Sequence, residues 1–498
     1  MNVFENSFAL SVVLTFSWAL IVTVLAVSFG YRLGRGLARL QVRPELPLLL
    51  LLPALIGDLT TSVLAREYML GADGSSASPF MVWVAIGFAE ISQGLPLVAF
   101  FSWLQLSSLP SEMREFVHAH QLSSRQRAAL LEFPAVKPTL YAISAFVFLL
   151  AFWEASSVLE VLHASRARGG NLVSIEIATK YSEFRSLLNV GALKARNELA
   201  WQATGAAFLG VIFTGLVWGA IERKLHAQTN SNEKASQYAF PAGWSLYPMF
   251  YFLPVILAIP AFWVTMLGIM ELSKLQGFFA LGSRTFMVWI LALVCAAFIV
   301  VPSVLILAAV RLWRPNFMSR LSWQIVLIIL VGAFLARVIA PELLTYHYSA
   351  WVAPHLPISA DERGLWGVLQ IILWSFLAVL FLYLMNLAVP SKRLELLNLT
   401  AVGLRGWRRK FVHGFLRPLA GGYIAIAIVL TVAIGFEAGV TDALVRVESL
   451  PKLTRAALDG RGAASYADLI AITGTSVLLM FALISLLSRQ LHRSRKDV

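Results

Sequence analysis

Residues 108–138 read SLPSEMREFVHAHQLSSRQRAALLEFPAVKP. The stretch is polar and basic and carries Pro110, Pro134 and Pro138, yet apolar runs of about 20 residues flank it on both sides. A chain patterned this way gives the insert to water and the flanking runs to something less polar. Of 498 residues, 58% are hydrophobic and 13% charged, and the mean hydropathy is +0.75. Soluble domains carry about 25% charged residues, so a water-soluble fold is excluded. Runs of this length fit helices crossing a hydrocarbon layer about 30 Å thick. The residue-by-residue alternation of membrane barrel strands is absent. The fold class is therefore an all-α polytopic membrane protein embedded in a lipid bilayer.

About eleven spanning helices are expected, near 8–30, 46–65, 80–105, 139–162, 201–221, 246–270, 286–310, 323–341, 367–388, 419–442 and 469–488. If the N-terminus is outside, one set of connections holds 25 of the 40 Lys and Arg residues, among them Arg32, Arg35, Arg39, Arg43, Arg125 and Arg127. Basic residues accumulate in cytoplasmic loops, so an external N-terminus, a cytoplasmic C-terminus and a cytoplasmic 108–138 are expected. The same rule accounts for the formal charge of +13 without nucleic acid. Cys295 is the single cysteine, so no intrachain disulfide forms. The opening MNVFEN lacks the positive region of a cleavable signal, and the first apolar run is expected to be retained.

The chain repeats itself. Shifted by 280 residues, the opening stretch falls on AVPSKRLELLNLTAVGLRGWRRKFVHGFLRP at 388–418. Pro110 meets Pro390, Glu115 meets Glu395, Arg125 meets Arg405 and Pro138 meets Pro418. Two homologous halves are expected: 1–225 with a loop at 106–138, a linker at 226–244, and 245–498 with a loop at 389–418. The first loop reads as two short helices. Pro110 suits a first helical position, and Met113, Phe116, Val117 and His120 share one face. Ser123 to Gln126 match a capping box that restarts a helix through Leu130 and Leu131, and Pro134 is expected to end it. Such an apolar face can rest on lipid headgroups or fill a groove in a partner. Matched copies in both halves favour a paired partner.

These loops resemble the cytoplasmic signature of binding-protein-dependent ABC-transporter permeases, in which a glutamate and two alanines precede a glycine and two later prolines. Glu115 stands at the start, Phe116 and Gln121 replace an alanine and the glycine, and Ser123, Leu131, Pro134 and Pro138 keep their types. The second copy is looser, with Glu395, Leu396, Ala401 in the glycine position and Pro418. The chain is most similar to the fused two-repeat permeases of iron(III) and thiamine importers. The resemblance implies the type I (MetI-like) importer permease fold in a bacterial inner membrane. It also implies two cytoplasmic ATPase subunits docked on the loops and an external solute-binding protein. No Gly-Lys pair occurs, so no phosphate-cradling GxxxxGK[ST] loop exists here. ATP and Mg would belong to the partner, and the chain is expected to have no cofactor, bound metal or catalytic residues of its own.

Ionisable residues inside spans are costly and rarely idle. Asp58, Glu90, Glu154 and Glu437, with Gln93 beside Glu90, are candidates for a polar pathway, and their sign favours a cationic solute. The alternative for Glu154 and Glu437 is structural pairing at the repeat interface. Arg337 near a helix end is expected to snorkel, and His118 with His120 lack the third ligand of a metal site. The expected function is an importer permease that does not itself hydrolyse ATP. The alternatives are an ion-gradient carrier with internal repeats or a non-transporting scaffold for an ATPase.

Overall fold

The computed structural model describes residues 2–51, 54–55, 79–109, 119–120, 124–161, 278–313, 375–385 and 422–435, with parts of 205–220 and 475–488. All elements among these are helical: α1 (Asn2–Arg39), α2 (Glu45–Leu50), α3 (Pro79–Ser107), α4 (Ser124–Arg127), α5 (Phe133–Val161), α6 (Phe278–Trp313), α7 (Ser375–Met385) and α8 (Gly422–Gly435). A single π-turn, Ala128–Glu132, joins α4 to α5. Three helices among the described residues are long and apolar enough to cross a membrane: Ala9–Arg39, Leu130–Phe152 and Thr285–Leu305. The expected spans at 246–270 and 323–341, the outer loops at 163–200 and 443–468, the 226–244 linker and the 389–418 loop lie outside the described residues.

Helix α1 extends nine residues past the expected end of the first span, so Arg32, Arg35 and Arg39 belong to its last turns rather than to a loop. No proline or capping glycine interrupts that stretch. The helix stops at Gln41, which adopts the left-handed conformation (φ 50°). There Gln41 N–H donates to Ala38 O and Val42 N–H to Leu37 O, the paired bonds of a Schellman cap. Pro44 then opens α2.

Helices α1, α3 and α5 pack on one another, and α6 packs on α8. Without water to drive helices together in lipid, close approach depends on small residues. Gly30 and Gly34 provide it. A Cβ on Gly30 would lie 2.7 Å from Val98 Cβ and 2.8 Å from Leu95 O, and one on Gly34 would lie 2.8 Å from Ser102 Cβ and against Ala99 O. Polar side chains inside the helices return hydrogen bonds to their own backbone, Thr15 to Ser11 O and Thr23 to Ala19 O, each at 2.7 Å. This satisfies them where lipid offers no partner.

The shift of 280 residues brings α1 onto α6, α3 onto α7 and α5 onto α8, helix on helix. Phe381 of α7 stacks on Phe101 of α3 with ring centroids 6.4 Å apart and planes 4° from parallel. It also meets Phe146 of α5 edge-on at 6.0 Å. Phe381 lies 280 positions after Phe101 in the sequence. Farther along, Trp289 of α6 donates its indole N–H to Ser476 Oγ at 3.0 Å.

Pro134 does not end a helix, contrary to the sequence expectation: Phe133 is helical at φ −65°, ψ −47°, and α5 runs on through Pro134 and Pro138. The π-turn explains this. Phe133 N–H bonds Ala128 O, five residues back. The widened turn precedes the proline ring, which in a regular helix would collide with the carbonyl four residues before it.

Candidate functional site

Two buried carboxylates organise the described bundle, one at the α1–α5 junction and one within α3. Glu132 closes the π-turn and is 3% exposed. Arg35 Nε lies 2.5 Å from its Oε2, Arg39 Nε 3.0 Å from Oε1, Arg39 Nη2 3.1 Å from Oε2, and Arg127 Nε 2.9 Å from Oε1. Two of these guanidinium groups come from α1 and one from α4. Arginine pairs with carboxylate through charge-assisted bonds that are shorter and about twice as strong as neutral ones. Burial raises the cost of losing either partner, because a lone buried charge is left behind. Around the same end, Thr139 Oγ1 donates a short hydrogen bond to Gln105 Oε1, tying the start of α5 to the end of α3. Tyr31, one turn before Arg35, holds a buried hydroxyl with no hydrogen-bond partner among the described residues.

The π-turn is what puts Arg127 on Glu132. At 3.6 residues per turn, positions five apart lie about 140° apart around the axis, too far to meet. The i→i+5 register of the turn brings them over one another. The short helix α4 is thus joined to α1 through a single carboxylate.

Glu90 lies within α3 and is 5% exposed. Trp18 of α1 donates its indole N–H to Glu90 Oε2 at 2.8 Å. Trp83, two turns before Glu90 on α3, meets Trp18 with ring centroids 4.9 Å apart. Gly87 leaves room for this indole: a Cβ there would lie 3.1 Å from Trp18 Cη2. Trp18 presents its N–H edge to Glu90, and a carboxylate held this way inside the bundle can attract a cation through its charge.

Of the residues expected from the sequence, Glu90 and Gln93 are both buried on α3. Glu154 falls in the helical span of α5. Leu131 is half-buried in the π-turn, and Pro134 and Pro138 are exposed on the first turns of α5. His120 is exposed, and no group of three metal-ligating side chains occurs among the described residues. Asp58, Glu437, Glu115, Phe116, Gln121, Ser123, Glu395, Leu396, Ala401 and Pro418 lie outside the described residues. Sequence reasoning missed Glu132 altogether. Its only local cue was a glutamate in an otherwise basic segment.

This is an α-helical membrane protein whose first helix is ion-paired to the segment that precedes α5. No protein-family model, curated protein or solved structure matches the chain.

Proposed function

We propose that the chain is the permease subunit of an ATP-driven solute importer, moved by separate ATPase subunits that dock on 106–138 and 389–418. The observation that carries this reading is the Glu132 junction. A loop that transmits force must be joined firmly to the helices it moves, and the end of 106–138 is joined to α1 by two guanidinium groups, those of Arg35 and Arg39, on one buried carboxylate that Arg127 of the loop also holds. The matching of α1, α3 and α5 with α6, α7 and α8, and the stack of Phe101 on Phe381, support two equivalent halves. On this reading the halves lean on each other at a pseudo-two-fold axis and rock about it. A solute-binding protein delivers the solute from outside, and the charge of the buried Glu90 favours a cationic one.

A buried carboxylate on α3 also suits a carrier in which Glu90 takes up and releases a proton from an ion gradient. One experiment separates the two. The chain is purified from its own membranes in mild detergent, co-purifying proteins are identified, and uptake is measured in proteoliposomes. The importer reading expects an ATPase that comes down with the wild type, is lost when 111–133 is replaced by a Gly/Ser linker, and is required for uptake. Uptake without ATPase that collapses with the ion gradient selects the carrier. Co-purified ATPase with no uptake of any cationic solute selects the scaffold.

A further inference from the structure

The Ala128–Glu132 turn makes room for Pro134, but a proline does not by itself call for such a turn. Pro96 in α3, Pro138 in α5 and Pro302 in α6 all lie inside regular helix with no π-turn before them. A π-turn carries one residue more than the α-turn it replaces and is rare, so something particular to this segment holds it open. Phe133 N–H donates to Ala128 O across the turn, which is the turn itself. The other contact is Arg127 Nε on Glu132 Oε1 at 2.9 Å, five positions apart. That pair closes only in this register, because α spacing sets residues five apart about 140° from one another around the axis.

Arg127 differs from the other two arginines on Glu132. Arg35 and Arg39 belong to α1 and hold the start of α5 against it. Arg127 precedes the turn on the same run of helix as Glu132, and it is 33% exposed against their 23% and 18%. Without Arg127 the carboxylate keeps both α1 partners, so no buried charge is stranded. The turn can then close to α spacing, as the helix does ahead of Pro138.

We propose that Arg127 is a positioning residue: its pair with Glu132 sets the π register and so fixes the direction in which α4, and the polar chain ahead of it, leaves α5. When the pair is lost, the turn closes and α4 advances by one residue, about 100° around its axis and about 1.5 Å along it. Helix α5 meanwhile stays on α1 through Arg35 and Arg39. A partner docking on the segment would then meet a different face of it. The assignment concerns the direction of the loop and holds whether or not that partner is an ATPase.

The test is pulsed electron paramagnetic resonance on the full chain in detergent, in a Cys295→Ser background. One nitroxide sits at Arg43→Cys, an exposed position, and the other at Ser124→Cys or Arg125→Cys. In Arg127→Gln, position 125 should take the distance from 43 that position 124 shows in the parent, the label sweeping about 8 Å. Arg127→Lys keeps the charge and should keep the parent distances, and so should Pro134→Ala. Parent distances at both positions in Arg127→Gln overturn the proposal. A shift in Pro134→Ala overturns it too, because the proline would then set the register. So does a shift in Arg127→Lys as large as in Arg127→Gln, because the charge would not be what holds the turn. Gel filtration of each variant establishes that it is folded before its distances are read.

Discussion

Glu132 holds three guanidinium groups on one buried carboxylate, and its removal should be correspondingly expensive. Glu132→Ala leaves Arg35, Arg39 and Arg127 facing one another at a buried point, which should destabilise the protein by about 3–5 kcal/mol. Arg127 is 33% exposed, and a partly solvated pair is worth about 0–1 kcal/mol. Arg127→Ala should therefore move the apparent thermal midpoint in detergent far less than Glu132→Ala. Equal effects would mean that the three pairs do not share one hub. At Glu90 the change to Gln keeps an acceptor for the Trp18 N–H and removes only the charge. Glu90→Gln is expected to fold with an unchanged midpoint while uptake of a cationic solute drops; unchanged uptake removes Glu90 from the pathway. Glu90 was legible from the sequence because a charge inside an apolar run announces itself. Glu132 was not, because its α1 partners are 97 and 93 residues away. Its local partner sits at a spacing that a regular helix would separate.

Among the elements, the contact between α1 and α3 rests on two glycines with backbone and branched side chains against them. Gly34→Leu cannot be absorbed by a rotamer change, because Ala99 O is backbone. The helices must part, and overpacking of this kind costs about 1–3 kcal/mol. A lower thermal midpoint for Gly34→Leu, with Gly205→Leu unaffected where a Cβ meets nothing within 4 Å, is the expected pattern. Hydrophobic runs located α1, α3, α5 and α6 well in the sequence, since length and apolarity are written locally. Their ends were less legible. The α1 terminus depends on a left-handed Gln41, a residue with no glycine-like signature. The continuation of α5 through Pro134 depends on a π-turn that composition does not reveal. The meeting of Phe101 with Phe381 could not be read from the sequence and required three dimensions.

Across the whole molecule, the Arg35–Glu132 pair puts the end of α1 and the start of α5 on the same side of the bundle. In a Cys295→Ser background, Arg43→Cys and Leu130→Cys should therefore react with a membrane-impermeant maleimide from one side, and Ala9→Cys from the other. All three residues are exposed. Labelling of positions 9 and 43 from a single side would show that α1 does not cross. Phe381 touches both α3 and α5, and Phe381→Ala should cost about 3–5 kcal/mol.

The stack of Phe101 on Phe381 has a consequence for chain continuity. If the two-half reading proposed above holds, two unlinked pieces of the chain would make the same contact. Separately encoded fragments 1–225 and 245–498 should find each other when co-expressed and migrate as one species on a native gel. Substituting either phenylalanine should abolish that reunion.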